Sequence, residues 1–348
     1  MRHKNMNCTL LLLAGSLMAI AVAAIVADAF EQDNDKRIGE IEFYGYGGID
    51  VLKVREALPL HEGDEFPASS EANLEVIERL KETIEKTLGY EPTDVQAVCC
   101  DERGNGMIYI GLPGKTNKSI TYRRAPLGRL RLPAKILDLY EQSLDALTEA
   151  VSQGSSEDDS KGYALSHDPT LRAKQLAIRT YAIHHEHQVR RVLKLSADVQ
   201  QRTVAAHVLG YAHQSKEQIT DLVRASRDAN EGVRNNAVRA LIVLAESNPK
   251  VAPFIPPSKF IEMLSSGFWT DRNKASSLLS VLSKGRAPTL LAQLRAQALL
   301  PLIEMARWRS QGHAYSAQLM LGRIAGIEET HLLHLLRDRQ VEAIIKAL

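Results

Sequence analysis

The densest set of metal-type donors in the 348-residue chain is His184-His185-Glu186-His187. On a helix, His184 and His187 stand at i, i+3 on one face and would share a metal ion with a third ligand. His207 and His213 supply further imidazoles one repeat later. A polar turn between helices explains the same residues without a metal. Two glycine-rich stretches suggest phosphate chemistry. Gly111-Leu112-Pro113-Gly114-Lys115-Thr116 follows an expected strand, but it has two residues between its glycines where a phosphate loop needs four. Asn117 to Tyr122 then reads as extended rather than helical. Gly45-Tyr46-Gly47-Gly48 lacks the third glycine and the crossover of a dinucleotide site. No Gly-x-Ser-x-Gly, His-Glu-x-x-His or paired-carboxylate pattern stands out. The expectation is a protein that is not an enzyme and has no cofactor. The alternative is a metal-binding protein or metal-dependent enzyme built on His184 and His187.

A different pattern recurs after residue 166. A small or acidic residue stands six positions before an arginine, with a polar residue between them and an apolar residue just before the arginine. It reads Ser166, Asp168, Arg172; then Ser196, Asp198, Arg202; then Asp228, Asn230, Arg234; then Ser266, Asp271, Arg272. Ala314 to Leu321 forms a fifth copy that keeps Ala317 and lacks the arginine. A period of 30 to 40 residues marks a helical solenoid. Each polar residue at a helix start is suited to cap it. Each arginine is suited to reach a carboxylate in the next repeat and fix its register. Asp168, Arg172, Asp198, Arg202, Asp228, Arg234, Asp271 and Arg272 are therefore assigned to architecture. Phe268, Trp269 and Trp308 lie at repeat junctions, where aromatics serve either as core or as anchors for a partner.

These copies resemble HEAT repeats in their short bacterial form, over residues 166–348. The resemblance implies stacked helix pairs that offer a long binding surface. Deoxyhypusine hydroxylases place several His-Glu pairs on such helices to hold two irons. Only His61-Glu62 and His185-Glu186 occur here, and the first precedes the repeats. Lyase relatives that handle phycobilins share the repeat type, but nothing in this chain identifies a chromophore.

Upstream, residues 36–113 read as a small α/β unit. Ile38 to Phe43 alternates as a strand, and Asp50 can cap a short helix. A longer helix starts at Ser69 or Ser70, with Leu74, Ile77, Leu80, Ile84 and Leu88 on one face, and ends at Gly89. Val95, Ala97 and Cys99 alternate in a second strand; Arg103-Gly104-Asn105-Gly106 turns the chain into a third. Ile41-Glu42-Phe43-Tyr44-Gly45, Leu58-Pro59-Leu60-His61-Glu62-Gly63-Asp64-Glu65-Phe66 and Leu88-Gly89-Tyr90 resemble a POTRA domain. That likeness implies an extracytoplasmic binding module that takes partners by strand addition. The outer-membrane barrel that usually follows such domains is not seen. The expected fold class is α+β: a POTRA-like α/β domain, then an all-α HEAT-like solenoid. Between them lie a basic linker at 114–132, a helix at 133–153 and a flexible acidic segment at 154–165.

The N-terminus reads as a targeting segment. Arg2, His3 and Lys4 precede an apolar run from Cys8 to Ala27, and Ala27-Asp28-Ala29 offers a cleavage site before Phe30. Residues 1–29 are thus a signal peptide or, given the length of the run, an uncleaved anchor. The rest of the chain is expected outside the cytoplasm, in the periplasm or beyond. The composition, 45% hydrophobic and 24% charged with a net charge of +1, gives no pull toward nucleic acid. Association with a membrane follows only if the segment stays uncleaved. Cys99 and Cys100 are adjacent and form no disulfide framework. The functional expectation is a scaffold or adaptor in the cell envelope, holding a protein partner along the solenoid and at the sheet edge.

Overall fold

A computed structural model of the chain describes residues 37–66, 70–98 and 101–348. The expected signal peptide or anchor at 1–29 and the Cys99-Cys100 pair lie outside the described residues. Among the described residues, no helix is long and apolar enough to cross a membrane.

The first unit runs β1 (Ile38–Tyr44), α1 (Val51–Ala57), α2 (Ser70–Leu88), β2 (Asp94–Val98), β3 (Gly106–Gly111). Asp50 caps α1 by accepting from the backbone N–H groups of Leu52 and Lys53. Gly89, at φ +81°, ends α2. The sheet order is β1-β3-β2, with β3 parallel to β1 and antiparallel to β2. Every residue of β3 is buried, as befits a central strand covered on both faces. Alternation along the strand then decides which core each side chain joins. Ile108 and Ile110, with Ile41 and Phe43, pack under the two helices against Val54, Leu80 and Ile84. Met107 and Tyr109, with Tyr44 and Val98, join the core of the helical array. Leu74 departs from the expected face of α2 and is exposed, because the packed stripe begins only at Val76 and Ile77.

After α3 (Ala134–Ser152) comes a short hairpin of β4 (Glu157–Asp158) and β5 (Leu165–Ser166). The array follows: α4 (Pro169–Leu195), α5 (Val199–Leu209), α6 (Lys216–Ala225), α7 (Glu231–Ser247), a 3-10 turn (Pro249–Phe254), α8 (Pro257–Met263), α9 (Trp269–Leu282), α10 (Pro288–Ala306), α11 (Gln311–Ile324), α12 (Glu329–Arg337) and α13 (Val341–Lys346). Helices α4, α5, α7, α9 and α11 lie side by side, with α6, α8 and α10 packed behind them. The result is a helical, solenoid-like stack. Fully buried Ala205, Ala237, Ala275 and Ala317 let the front-row axes approach closely. Asp168, Asp198 and Asn230 cap α4, α5 and α7 through the N–H groups of Leu171, Gln201 and Val233.

Two connecting segments differ from the sequence expectation. Residues 114–132, expected as a basic linker, form a strap across the inter-helix loops, with Lys115, Lys118, Arg124, Arg129 and Arg131 exposed. Lys118 N–H donates to Ser265 C=O at 2.8 Å, and Arg123 N–H donates to Arg227 C=O at 2.7 Å. Gly128 N–H donates to Leu195 C=O, Ala197 N–H donates to Gly128 C=O, and Leu132 N–H donates to Gln201 Oε1. The strap thus runs back along the stack from the loop before α9 to the loop before α5. Most of the bonds that fix it are made by the main chain, so most of its basic side chains stay in solvent. The acidic segment 154–165 is also ordered. Glu157 pairs with Arg239 and accepts from Gln175 Nε2, which pins the β4–β5 hairpin on the front row.

Candidate functional site

The four aligned arginines share one geometry. Each donates to the backbone carbonyl six residues upstream: Arg172 to Ser166, Arg202 to Ser196, Arg234 to Asp228 and Arg272 to Ser266. The three later side chains are almost fully buried. Arg202 forks onto Asp228 with Nε–Oδ2 at 3.0 Å and Nη2–Oδ1 at 2.9 Å. Arg234 Nε reaches Asp271 at 2.8 Å. Asp271 follows a serine, Ser266, that occupies the place of Asp228 in its own repeat. Ser266 Oγ donates to Asp271 Oδ2 at 2.9 Å, so the carboxylate stands in for the missing aspartate. Among the described residues Arg172 makes no carboxylate fork; Asp198 faces Arg131 of the strap at 3.6 Å.

The last rung departs from the series. Arg272 Nη2 donates to Thr116 C=O at 3.0 Å, and its Nη1 lies 3.5 Å from Glu304 on α10. Glu304 accepts from Gly45 N–H at 2.8 Å, Gly47 N–H at 3.1 Å and Thr116 Oγ1 at 2.5 Å. Both glycine-rich stretches therefore converge on one anion, and that anion is a carboxylate of the same chain. Gly45 has φ +70°, and a Cβ there would lie 2.6 Å from Leu112 C=O. A side chain at Gly45 is thus excluded by the backbone that leaves β3 and by the positive φ. Burial raises the Glu304 pKa above its ordinary value, against the opposing pull of Thr116 and Arg272. The sequence held the signal for an anion nest but gave no hint that residue 304 would fill it.

Two of the three aromatic residues offered as core or partner anchors, Trp269 and Trp308, are covered by the chain's own α/β unit. Trp269 is fully buried and Trp308 nearly so. Tyr109 of β3 packs 5.0 Å from each indole, and Trp308 Nε1 donates to Phe43 C=O at 3.0 Å. Of the two roles the sequence allows, core or anchor, both tryptophans take the core one, and the sheet that covers them lies far away in sequence. Phe268 is half-buried beside Tyr122 and the Arg234 guanidinium. The N-terminal end of α9 has no side-chain cap of its own; Asp94 of β2 provides one, accepting from Trp269 N–H at 2.9 Å.

The histidine cluster does not assemble as a metal site. Helix α4 breaks its geometry at His185, φ −124° and ψ 20°, so the spacing assumed for His184 and His187 is interrupted. His184 Nδ1 lies 2.7 Å from Thr180 C=O, and Glu186 pairs with His213 at 3.1 Å. His207 is half-buried between Tyr140 and Tyr211. Among the described residues, no group of three His, Cys, Asp or Glu converges in a way that could hold a metal ion. One group that the sequence reading missed has chemical potential. Burial and the Arg239 charge push the Lys274 ammonium down to about 7. Only 5% of that residue is exposed, so a substrate has no approach to it.

Two surfaces remain available. The outer edge of β1 is filled: Ile38 bonds Gly63 and Asp64, Ile41 N–H reaches Glu62, and Ile41 C=O accepts from Arg55 and Arg309. The outer edge of β2 has no strand beside it among the described residues. The second surface is a groove between the strap and the back row of helices, lined by Arg123, Arg224, Arg227, Lys259 and Phe254.

Comparison with known protein families gives no match, and no curated protein matches the chain.

Proposed function

We propose that this chain is a non-enzymatic interaction scaffold or adaptor of the cell envelope, with a POTRA-like unit docked on a HEAT-like array. The observation that carries the reading is the contrast between the two sheet edges. The chain closes β1 with its own groups, and among the described residues no strand lies beside the outer edge of β2 (Asp94–Val98). An edge of this kind accepts an extended segment by main-chain hydrogen bonds. The docked array would hold the sheet rigid, so that a partner strand meets a preformed template. Burial of Trp269 and Trp308 moves the expected partner surface from those anchors to this edge and to the faces that stay open.

Export is part of the same proposal. Residues 1–29 would direct the chain out of the cytoplasm, with cleavage before Phe30 or retention as an anchor. N-terminal sequencing of the mature protein distinguishes the two: a start at Phe30 means cleavage. The scaffold reading is tested by affinity capture with the full chain from envelope extracts. A protein enriched in a fixed ratio to the bait supports it. Recovery of nothing beyond the control column sinks it.

A further inference from the structure

A groove of about 740 Å³ lies between the strap and the back row. Its walls are Thr121–Arg123, the last turns of α6 and the passage from Phe254 into α8. Four cations line it against one carboxylate, Glu262, which Arg227 already engages at 2.7 Å. Arg224 and Lys259 are exposed and make no ion pair among the described residues. Arg123 is fixed in place by its backbone bond to Arg227. Burial and the neighbouring Arg224 charge lower the Arg123 pKa, against the opposing pull of Asp228. Val223 and Pro256 add apolar wall, and the Phe254 side chain is 45% exposed with Lys216 Nζ 5.4 Å from its ring.

We infer that this groove docks an acidic, apolar-bearing peptide segment of a partner protein. Its carboxylates would meet Arg123, Arg224 and Lys259, and an apolar side chain would pack on Phe254. The inference rests on the scaffold reading and specifies the chemistry of the partner. A peptide fits better than a nucleic acid for two reasons. The cations form one short cluster on a chain of net charge +1, whereas a polyanion needs an extended run of contacts. Val223, Phe254 and Pro256 give the groove an apolar wall, which suits a side chain rather than a phosphate backbone.

The test is fluorescence anisotropy of a labelled peptide of alternating Glu and Leu, about ten residues long, titrated with the full chain at low salt. Saturable binding is expected, weakened about tenfold or more in Arg224→Glu/Lys259→Glu and in Phe254→Ser. Replacing every Glu of the peptide by Gln should abolish it. Absence of binding, or equal affinity of the natural chain and the charge-reversed variant, would overturn the inference. Tighter binding of a single-stranded DNA oligonucleotide of the same charge would overturn it too. An envelope protein captured equally by the natural chain and by Arg224→Glu/Lys259→Glu would remove the groove and leave the scaffold reading standing.

Discussion

Asp94 Oδ2 lies 2.9 Å from the backbone nitrogen of Trp269, so an aspartate on the edge strand of the α/β unit caps a helix of the array 175 residues away. The same carboxylate accepts from Tyr44 Oη at 2.9 Å. One side chain thus joins strand, sheet face and helix end. Burial holds its pKa above the usual aspartate value despite those bonds. Asp94→Ala should lower unfolding stability by ~1–2 kcal/mol, the range for a lost helix cap. Asp94→Asn, which keeps an acceptor oxygen, should lose less. Urea midpoints that do not differ between the two variants would contradict the capping role.

The arginine series predicts unequal effects from equal substitutions. Arg202→Ala strands the buried Asp228 carboxylate, which on general grounds destabilises by ~3–5 kcal/mol. Arg172→Ala removes one carbonyl bond from a partly exposed side chain and should change stability by less than about 1 kcal/mol. Urea unfolding of the pair checks this. A larger loss at Arg172 than at Arg202 would mean that the fork does not hold the stack.

The pH dependence of His313 has a definite sign. Burial, reinforced by the Lys274 charge, holds its folded pKa near 3 against an ordinary 6.5, and Nδ1 lies 2.6 Å from Tyr109 Oη. The unfolded chain takes up a proton as the pH falls below 6.5, while the folded chain does not. Stability from this group is therefore lost as pH drops from 6.5 toward 3. Burial and the Asp94 charge raise the Glu231 pKa to about 7 and act in the opposite direction across part of that window. The useful quantity is the difference between chains. His313→Gln should lose less stability than the natural chain between pH 7 and pH 5. Parallel losses would refute the assignment.

The two tryptophans report directly on the docking of the units. With Trp269 and Trp308 both sealed against Tyr109, the native emission should be blue-shifted and resistant to iodide. Emission near that of the unfolded chain, quenched freely by iodide under native conditions, would show that the α/β unit does not cover the array.

Local signals carried the sequence a long way. The cap at Asp50, the end of α2 at Gly89 and the six-residue offset before each arginine are written in neighbouring residues. The relation between the units is not. Glu304 and Gly45, or Trp308 and Phe43, meet only after the whole chain has folded. Tyr44 and Tyr109 read as ordinary strand residues whichever face they serve. The strap is hidden for a related reason: its placement depends on main-chain bonds to the loops at 195–197, 227 and 265, and composition says nothing about those. The spacing of His184 and His187 assumed an unbroken helix, and a kink at His185 interrupts it.

The central claim is that the open edge of β2 receives a protein strand. A diazirine-bearing residue in place of the half-buried Gln96, photolysed with the full chain in envelope extract, tests it most directly. The account predicts one discrete protein adduct at that position, absent when the same residue replaces the exposed Leu300 on α10. No adduct at position 96, or the same products at both positions, would contradict it.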